Sequence, residues 1–348
     1  MRPVIRPAEL DLASPGRRHY LVALEHDSIW GDHLIPLSVF VGPEAQPGQG
    51  LVAFGANHGN EYEGPLALRH MSREIEAGDV RGRIILVPVL NPPAFRAGAR
   101  DAALDDGRNL NRAFVPGAGA GALAGITHRI AGFVREHIWP HVHVVIDLHA
   151  GGNVARFARG ASFHLVDDPE QGAVIERTAR WFGTPLLIAY QNETPGLLTS
   201  EAERLGKITI GGEFGWGGAV SAEGVRYARH GVRAAAVLHG QLRGEIAPIA
   251  HHADNTQRLV AMIDRACFTP APFAGHYEPV LDCGAAVEEG ALIGWLHDFD
   301  RLELDPWPVR AGVAGVVIAQ AWLAPVAQGQ HIAVVGRVLP FRDRANPS

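Results

Sequence analysis

The segment Gly55-Ala56-Asn57-His58-Gly59-Asn60-Glu61-Tyr62-Glu63-Gly64 constrains this chain more than any other. The run before it, Leu51-Val52-Ala53-Phe54, is continuously apolar and reads as a short buried strand ending at Gly55. After Glu61 the period changes: Leu66, Ala67, Met71 and Ile75 fall three or four residues apart, the spacing of one helical face. His58 and Glu61 therefore stand where a strand hands over to a helix, the usual place for a ligand crevice in an open α/β sheet. His-x-x-Glu puts an imidazole nitrogen and a carboxylate close enough to hold one divalent ion. Zinc accepts that pair together with a third ligand from elsewhere.

A third ligand is on offer at another strand end. Val142-His143-Val144-Val145-Ile146-Asp147-Leu148 reads as a buried strand, followed directly by His149 and then Ala150-Gly151-Gly152. Two histidines and one glutamate leave a fourth position for water, the arrangement of catalytic rather than structural zinc. With 18 histidines in the chain, either piece alone carries little. Their shared placement at the carboxyl ends of apolar strands is what singles them out.

Composition narrows the class. At 348 residues the chain can bury a large core and divide into one large domain and one smaller one. Hydrophobic residues at 47% and charged residues at 20% are those of a folded globular protein. A net charge of -6 with no Lys/Arg run offers nucleic acid no footprint. The two cysteines, Cys267 and Cys283, lie far apart, without a Cys-x-x-Cys, and read as reduced thiols of a cytoplasmic protein. No signal peptide is expected at the N-terminus. The longest apolar stretch, Val313 to Ala327, is interrupted by Gly315, Gln320 and Pro325 and falls short of the ~18 residues a membrane span needs.

Along the chain, an extended lead-in over residues 1–16 precedes two strands, Tyr20–Leu24 and Leu34–Val41, separated by a polar turn around Asp27 and Gly31-Asp32. After the organising strand and helix, Arg83–Leu90 is a further strand. It gives way at Asn91-Pro92-Pro93 to a loop of roughly twenty residues, long enough to be an active-site loop. That loop carries Arg100 and the cluster Asp105 to Arg112, in which Asn111 and Arg112 make an amide–guanidinium fork suited to a carboxylate. A helix is expected from Gly121 to Ile138, another from Pro169 to Phe182, and a strand over Leu186–Ala189. The strand Lys207–Ile210 then delivers Glu213 among glycines, where it reads as a general base beside a metal-bound water. Ser221 caps a helix running to about Leu242, and a short helix is expected over Asn255–Arg265. Alternating strands and helices imply an α/β protein with a mostly parallel, mixed central sheet and helices on both faces. After Thr269-Pro270-Ala271-Pro272 the chain turns to short strands, near Gly275–Leu281, Leu292–Leu296, Gly315–Trp322 and His331–Gly336. The expected division is an α/β domain over 1–268 and a small β-rich domain over 269–348.

Asn57-His58 with Glu61, Asn109-Leu110-Asn111-Arg112-Ala113-Phe114, Asp147-Leu148-His149 and Glu213-Phe214-Gly215 occur in the order seen in the succinylglutamate desuccinylase/aspartoacylase family, which the chain therefore resembles. The likeness covers residues 50 to 240 by motif, and the β-rich C-terminal part is similar to that family's second domain. It implies a zinc carboxypeptidase-like fold, one Zn2+ per chain held by His58, Glu61 and His149, and Glu213 as catalytic acid/base. It also implies Asn111 and Arg112 as the pair that binds the substrate carboxylate. An upstream arginine stabilises the oxyanion in that family; Arg100 and Arg108 both lie in the loop, and Arg100 fits the longer-loop members better. Tyr277 is the candidate for a second-domain tyrosine that assists in aspartoacylase. The long loop looks most like the branch that removes acetyl from N-acetyl-2,4-diaminobutyrate.

The expected activity is thus hydrolysis of the amide of a small N-acylated amino acid bearing a carboxylate, with no nucleic-acid or membrane partner and with a homo-oligomer left open. A metallocarboxypeptidase acting on peptides would use the same ligands. A non-catalytic metal- or metabolite-binding protein would have no need of Glu213. His141 and His143 read as packing or surface residues, and Gly215-Trp216-Gly217-Gly218 lacks the lysine of a phosphate loop.

Overall fold

The computed structural model describes residues 3–25, 31–102, 105–115, 125–191 and 194–342. Strand β1 (Val4–Ile5) pairs in parallel with β2 (Gly16–Glu25), which forms an antiparallel pair with β3 (Asp32–Val41). These are the two N-terminal strands the sequence predicts, longer than expected; the predicted turn at Asp27 lies outside the described residues. β4 (Gly50–Gly55) is buried at every position and leads to α1 (Glu63–Glu74), whose Ala67, Leu68 and Met71 face inward. Leu66, expected on that face, is 38% exposed instead.

β5 (Arg83–Val87) pairs in parallel with β4. The stretch expected as a loop after it contains α2 (Pro92–Ala97). The Asn91 side chain accepts from the Ala94 N–H at 3.4 Å to cap it, and Gly98 ends it at φ +60°. Proline gives up no hydrogen bond in a first helical turn, so Pro92-Pro93 starts a helix where it reads as a breaker. A 3-10 turn, Leu110–Arg112, closes the segment. Next comes α3 (Ile126–Phe133), which widens into a π-helical turn at Val134–Ile138; the expected start at Gly121 lies outside the described residues.

β6 (Val142–His149), β7 (Ala155–Phe157) and β8 (Gly160–His164) precede α4 (Pro169–Arg180) and β9 (Leu186–Tyr190). They are followed by α5 (Leu198–Arg204), β10 (Ile208–Glu213) and α6 (Ala222–Leu238). Ser221 Oγ accepts from the Gly224 N–H at 3.1 Å to cap α6, which stops at Leu238, short of Leu242. The helix expected over Asn255–Arg265 is absent. In its place a single turn, α7 (Ala250–Ala253), precedes strand β11 (Arg258–Met262). Leu259 and Ala261 enter one core while Val260 enters another, a two-sided burial that a sheet slot provides and a surface helix does not.

The C-terminal part contributes β12 (Phe268–Pro270), β13 (Gly275–Pro279), β14 (Ala286–Val287), β15 (Leu292–His297), β16 (Trp307–Arg310), β17 (Gly315–Ala321), β18 (Pro325–Val326) and β19 (His331–Leu339). Of these, β16 escaped the sequence pattern because Pro308 interrupts it; it pairs on β15 alone, the edge position proline tolerates. Fifteen strands form one mixed sheet in the order β1-β2-β3-β5-β4-β6-β10-β8-β9-β11-β19-β17-β14, with β12 on β19 and β7 on β17. A separate antiparallel sheet runs β16-β15-β13-β18.

Helices cover both faces of the large sheet. Leu51, Ala53, Ile84, Leu86, Val144 and Ile146 point to the side of α1, α4 and α6. Their neighbours Val52, Phe54, Ile85, Val87 and Val145 point to the side of α3 and α5, the alternation expected of side chains along a strand. Among the described residues no helix is long and apolar enough to cross a membrane.

Candidate metal centre

β4, β6 and β10 are adjacent and parallel, so their carboxyl ends open at one edge of the sheet. The chain leaves β4 through Ala56, held at φ +50°, a conformation that L residues other than glycine rarely adopt. Gly59 lies so close to α2 that a Cβ there would fall 2.0 Å from the Ala94 carbonyl carbon. These contacts set His58 and Glu61 at the mouth of the sheet, beside His149 at the end of β6.

The three side chains converge. His58 Nδ1 is 2.9 Å from Glu61 Oε1, and His149 Nδ1 is 2.9 Å from Glu61 Oε2. One donor atom from each lies within 4.8 Å of the others, the one such cluster among the described residues. Each imidazole spends its second nitrogen on an acceptor: His149 Nε2 on Asp147 Oδ2 at 2.8 Å, and His58 Nε2 on Asn109 Oδ1 at 3.2 Å. Asn57 Nδ2 donates to Asp147 Oδ2 at 3.0 Å. Outer acceptors of this kind fix the imidazole tautomer, leaving both Nδ1 lone pairs turned toward Glu61. Two imidazole nitrogens and a carboxylate, converging in this way, fit a zinc ion.

Burial and neighbouring charges shift the proton affinities of these groups in opposite directions. Burial pushes the Glu61 carboxyl up, but the His58 and His149 imidazoles outweigh it and hold the group well below the usual carboxylate range. Burial opposes charge on His149, and Asp147 with Glu61 overcomes it, raising that imidazole well above its ordinary value. Glu213 goes the other way: burial, with the negative Glu61 nearby, pushes it up to about 8. Its Oε2 is buried without a hydrogen-bond partner among the described residues.

A cavity of about 330 Å³ opens on the cluster and is lined by Arg100, Asn111, Arg112 and Glu213 as well as the three candidate ligands. Arg100 Nη1 donates to Glu61 Oε1 at 3.1 Å. Asn111 Oδ1 accepts from the Leu198 N–H at 2.9 Å, which ties the loop to α5. Arg112 Nη1 donates to the Asn111 carbonyl at 2.6 Å, and burial, with Arg100 nearby, lowers its pKa. Two expected residues fall elsewhere. Arg108 is exposed and does not line the cavity; the Asp106 carboxylate accepts from its backbone N–H and turns the chain away there. Tyr277 is in the core of the C-terminal sheet, its hydroxyl accepting from Gln320 Nε2 at 3.1 Å.

The sequence reading assigned no role to Asn57, Asn109 or Asp147. Asp147 could have been found, since residues two apart on a strand share a face and His149 was already singled out. Tyr190, which also lines the cavity, gave no local signal.

A mixed α/β sheet with a His-Glu-His cluster at its parallel strand ends, and a second carboxyl beside it, defines a protein built around a candidate metal centre. The chain belongs to the succinylglutamate desuccinylase/aspartoacylase family, whose catalytic-domain model matches residues 47–238. It is 33% identical to the N-alpha-acetyl-L-2,4-diaminobutyric acid deacetylase of Halomonas elongata, over 97% of this chain and 96% of that protein. Among solved structures it is similar to the product-bound ectoine utilization protein EutE (DoeB) of Ruegeria pomeroyi, at 33% identity and a TM-score of 0.84, covering 94% of this chain and 98% of that one. A succinylglutamate desuccinylase/aspartoacylase from Rhodobacter sphaeroides superposes with a TM-score of 0.87 at 26% identity, covering 95% and 98% of the two chains.

Proposed function

We propose that the chain is a zinc-dependent hydrolase of the amide bond in a small N-acylated amino acid, with N-acetyl-2,4-diaminobutyrate as its substrate. The observation that carries this reading is the position of Glu213, register partner of His149, with its Oε2 buried beside a three-residue donor set. A protein that only bound a metal would have no use for a buried carboxyl poised to exchange a proton there. The Halomonas deacetylase, similar along nearly the whole chain, supports the choice of substrate.

In this reading His58, Glu61 and His149 hold the ion. Zinc at such a site supplies Lewis acidity, polarising an acyl carbonyl and making water a nucleophile near neutral pH. Glu213 accepts the proton released as water attacks and returns it to the leaving amine. Burial, with Glu61 nearby, raises the proton affinity of Glu213, which suits a carboxyl that must hold a proton and pass it to the leaving amine. Arg100, spending one N–H on Glu61, turns the rest of its fork to the developing oxyanion. Arg112 pairs with the substrate carboxylate, and Asn111 fixes the loop that carries it.

The test is turnover by zinc-loaded protein of N-acetyl-2,4-diaminobutyrate against a series of peptides with free C-termini. Release of acetate that stops on chelation and returns with zinc is expected. Cleavage of the peptides alone would make the chain a carboxypeptidase, and zinc binding without hydrolysis of any amide would make it a binding protein.

A further inference from the structure

The cavity extends beyond the metal cluster. Thr209, Gly211 and Glu213 share one face of β10, and Ser162 and His164 of the antiparallel neighbour β8 line the same floor. Four residue steps along the strand lead from Thr209 to Glu213, about 13 Å at the usual rise. At that far end stands Glu203, from α5. Its carboxylate accepts from Thr209 Oγ1 at 2.5 Å and lies 2.8 Å from His164 Nδ1. The Glu203 side chain is 7% exposed and that of His164 11%. No arginine or lysine pairs with Glu203 among the described residues. With Nδ1 engaged by the carboxylate, His164 presents Nε2 as an acceptor.

Charge is therefore graded along the cavity. Arg100 bonds Glu61 at the metal end, Arg112 lies beside Asn111 near His149, and the carboxylate stands at the other end. A buried carboxylate is costly to keep without a counter-charge, and among the described residues only an imidazole and a hydroxyl attend it. The ligand complementary to this gradient is a zwitterion-like molecule with its carboxylate at the arginines and a cation at Glu203.

We infer that Glu203, positioned by Thr209 and working with His164, binds a side-chain ammonium of the substrate, making the enzyme selective for N-acylated diamino acids. The inference rests on the reading above that the substrate is an N-acylated amino acid, and it adds the residues that choose among such compounds. Neither His164 nor Glu203 takes part in bond breaking.

The experiment compares N-acetyl-2,4-diaminobutyrate with N-acetylnorvaline, which replaces the terminal ammonium by a methyl group at equal length. Wild-type protein should favour the diamino substrate in kcat/KM by about 10- to 100-fold, the worth of one charge-assisted hydrogen bond. Glu203→Gln should erase that preference through KM and leave N-acetylnorvaline turnover unchanged. Thr209→Val, which removes the hydroxyl holding the carboxylate, should weaken the preference part of the way and serves where Glu203→Gln does not fold. Equal use of the two substrates by wild-type protein, or an equal loss on both in Glu203→Gln, would overturn the assignment. Calorimetry with free 2,4-diaminobutyrate and norvaline separates this from the hydrolase reading. If neither acetylated compound is cleaved, the hydrolase reading falls; tighter, Glu203-dependent binding of 2,4-diaminobutyrate would still uphold the subsite, and equal binding would remove it.

Discussion

His149 and Glu213 are register partners on two adjacent parallel strands, β6 and β10. The ladder that joins the strands thus fixes a candidate ligand and a candidate proton carrier relative to each other, independently of any loop. Placement on strands holds such groups more tightly than placement on a flexible connection. Phe214, the next residue, donates its N–H to the His149 carbonyl at 3.0 Å and extends the pairing past the strand end.

Glu213→Ala should retain zinc, since Glu213 is outside the cluster of converging donor atoms, and should lose on the order of 10² to 10⁴ in turnover. Metal content and kcat measured on the same preparation check this. A variant with full zinc and near-normal turnover would take Glu213 out of the mechanism.

Arg112 and Arg108 offer a paired test, because the sequence places both in one short cluster and the fold separates them. Arg112 lines the cavity while Arg108 is exposed and outside it. Arg112→Ala should raise KM for an N-acetyl amino acid by roughly 10- to 100-fold, the loss of a charge-assisted contact. Arg108→Ala should leave KM within about twofold, as surface substitutions away from a site usually do. Equal effects from the two would show that the cavity wall is not what distinguishes them.

The centre of the molecule is legible in the sequence because its parallel strands are buried on both faces and read as unbroken apolar runs. Val144 through Ile146 and Leu51 through Phe54 stand just ahead of the candidate ligands. Elements whose form depends on distant partners are not legible. β11 has a composition that also suits a helix and becomes a strand because β9 and β19 receive it. Pro92-Pro93 reads as a break, yet it starts α2 because Asn91 supplies the cap. The Asp147 carboxylate is adjacent in sequence to the expected site, and only its distance to His149 Nε2 reveals what it does. The Glu203–His164 pair unites two residues 39 positions apart that carry no motif at all.

Stability should fall in mild acid for reasons separate from the metal cluster. Burial, with His143 and Arg177 nearby, pushes His239 down to about 4; burial, with Arg180 and His230 nearby, does the same to His252. Both are neutral in the fold at pH 6, whereas in the unfolded chain they take up protons below about 6.5. Their contribution is present above that value and is lost as pH falls through about 4, because the unfolded state binds more protons in between. Urea midpoints of zinc-free protein should drop between pH 7 and pH 4.5. The slope should flatten in the double variant His239→Gln/His252→Gln, and an unchanged slope would assign the loss to other groups.

Asp147→Asn isolates the outer layer of the centre. Asp147 Oδ2 accepts from both His149 Nε2 and Asn57 Nδ2, at 2.8 and 3.0 Å, while Oδ1 is buried without a hydrogen-bond partner among the described residues. The amide substitution keeps the volume and removes the negative charge that orients the imidazole and raises its basicity. It also forces a choice: an amide oxygen turned to His149 puts its NH2 where Oδ1 stands, a buried atom without a hydrogen-bond partner among the described residues. Replacing such an outer partner typically costs about 10- to 100-fold in metal affinity. Zinc affinity measured by competition with a chromophoric chelator should weaken by that amount, and excess zinc should restore most of the turnover. A purely structural role for Asp147 predicts a lowered melting temperature with zinc affinity unchanged, and that result would remove Asp147 from the centre.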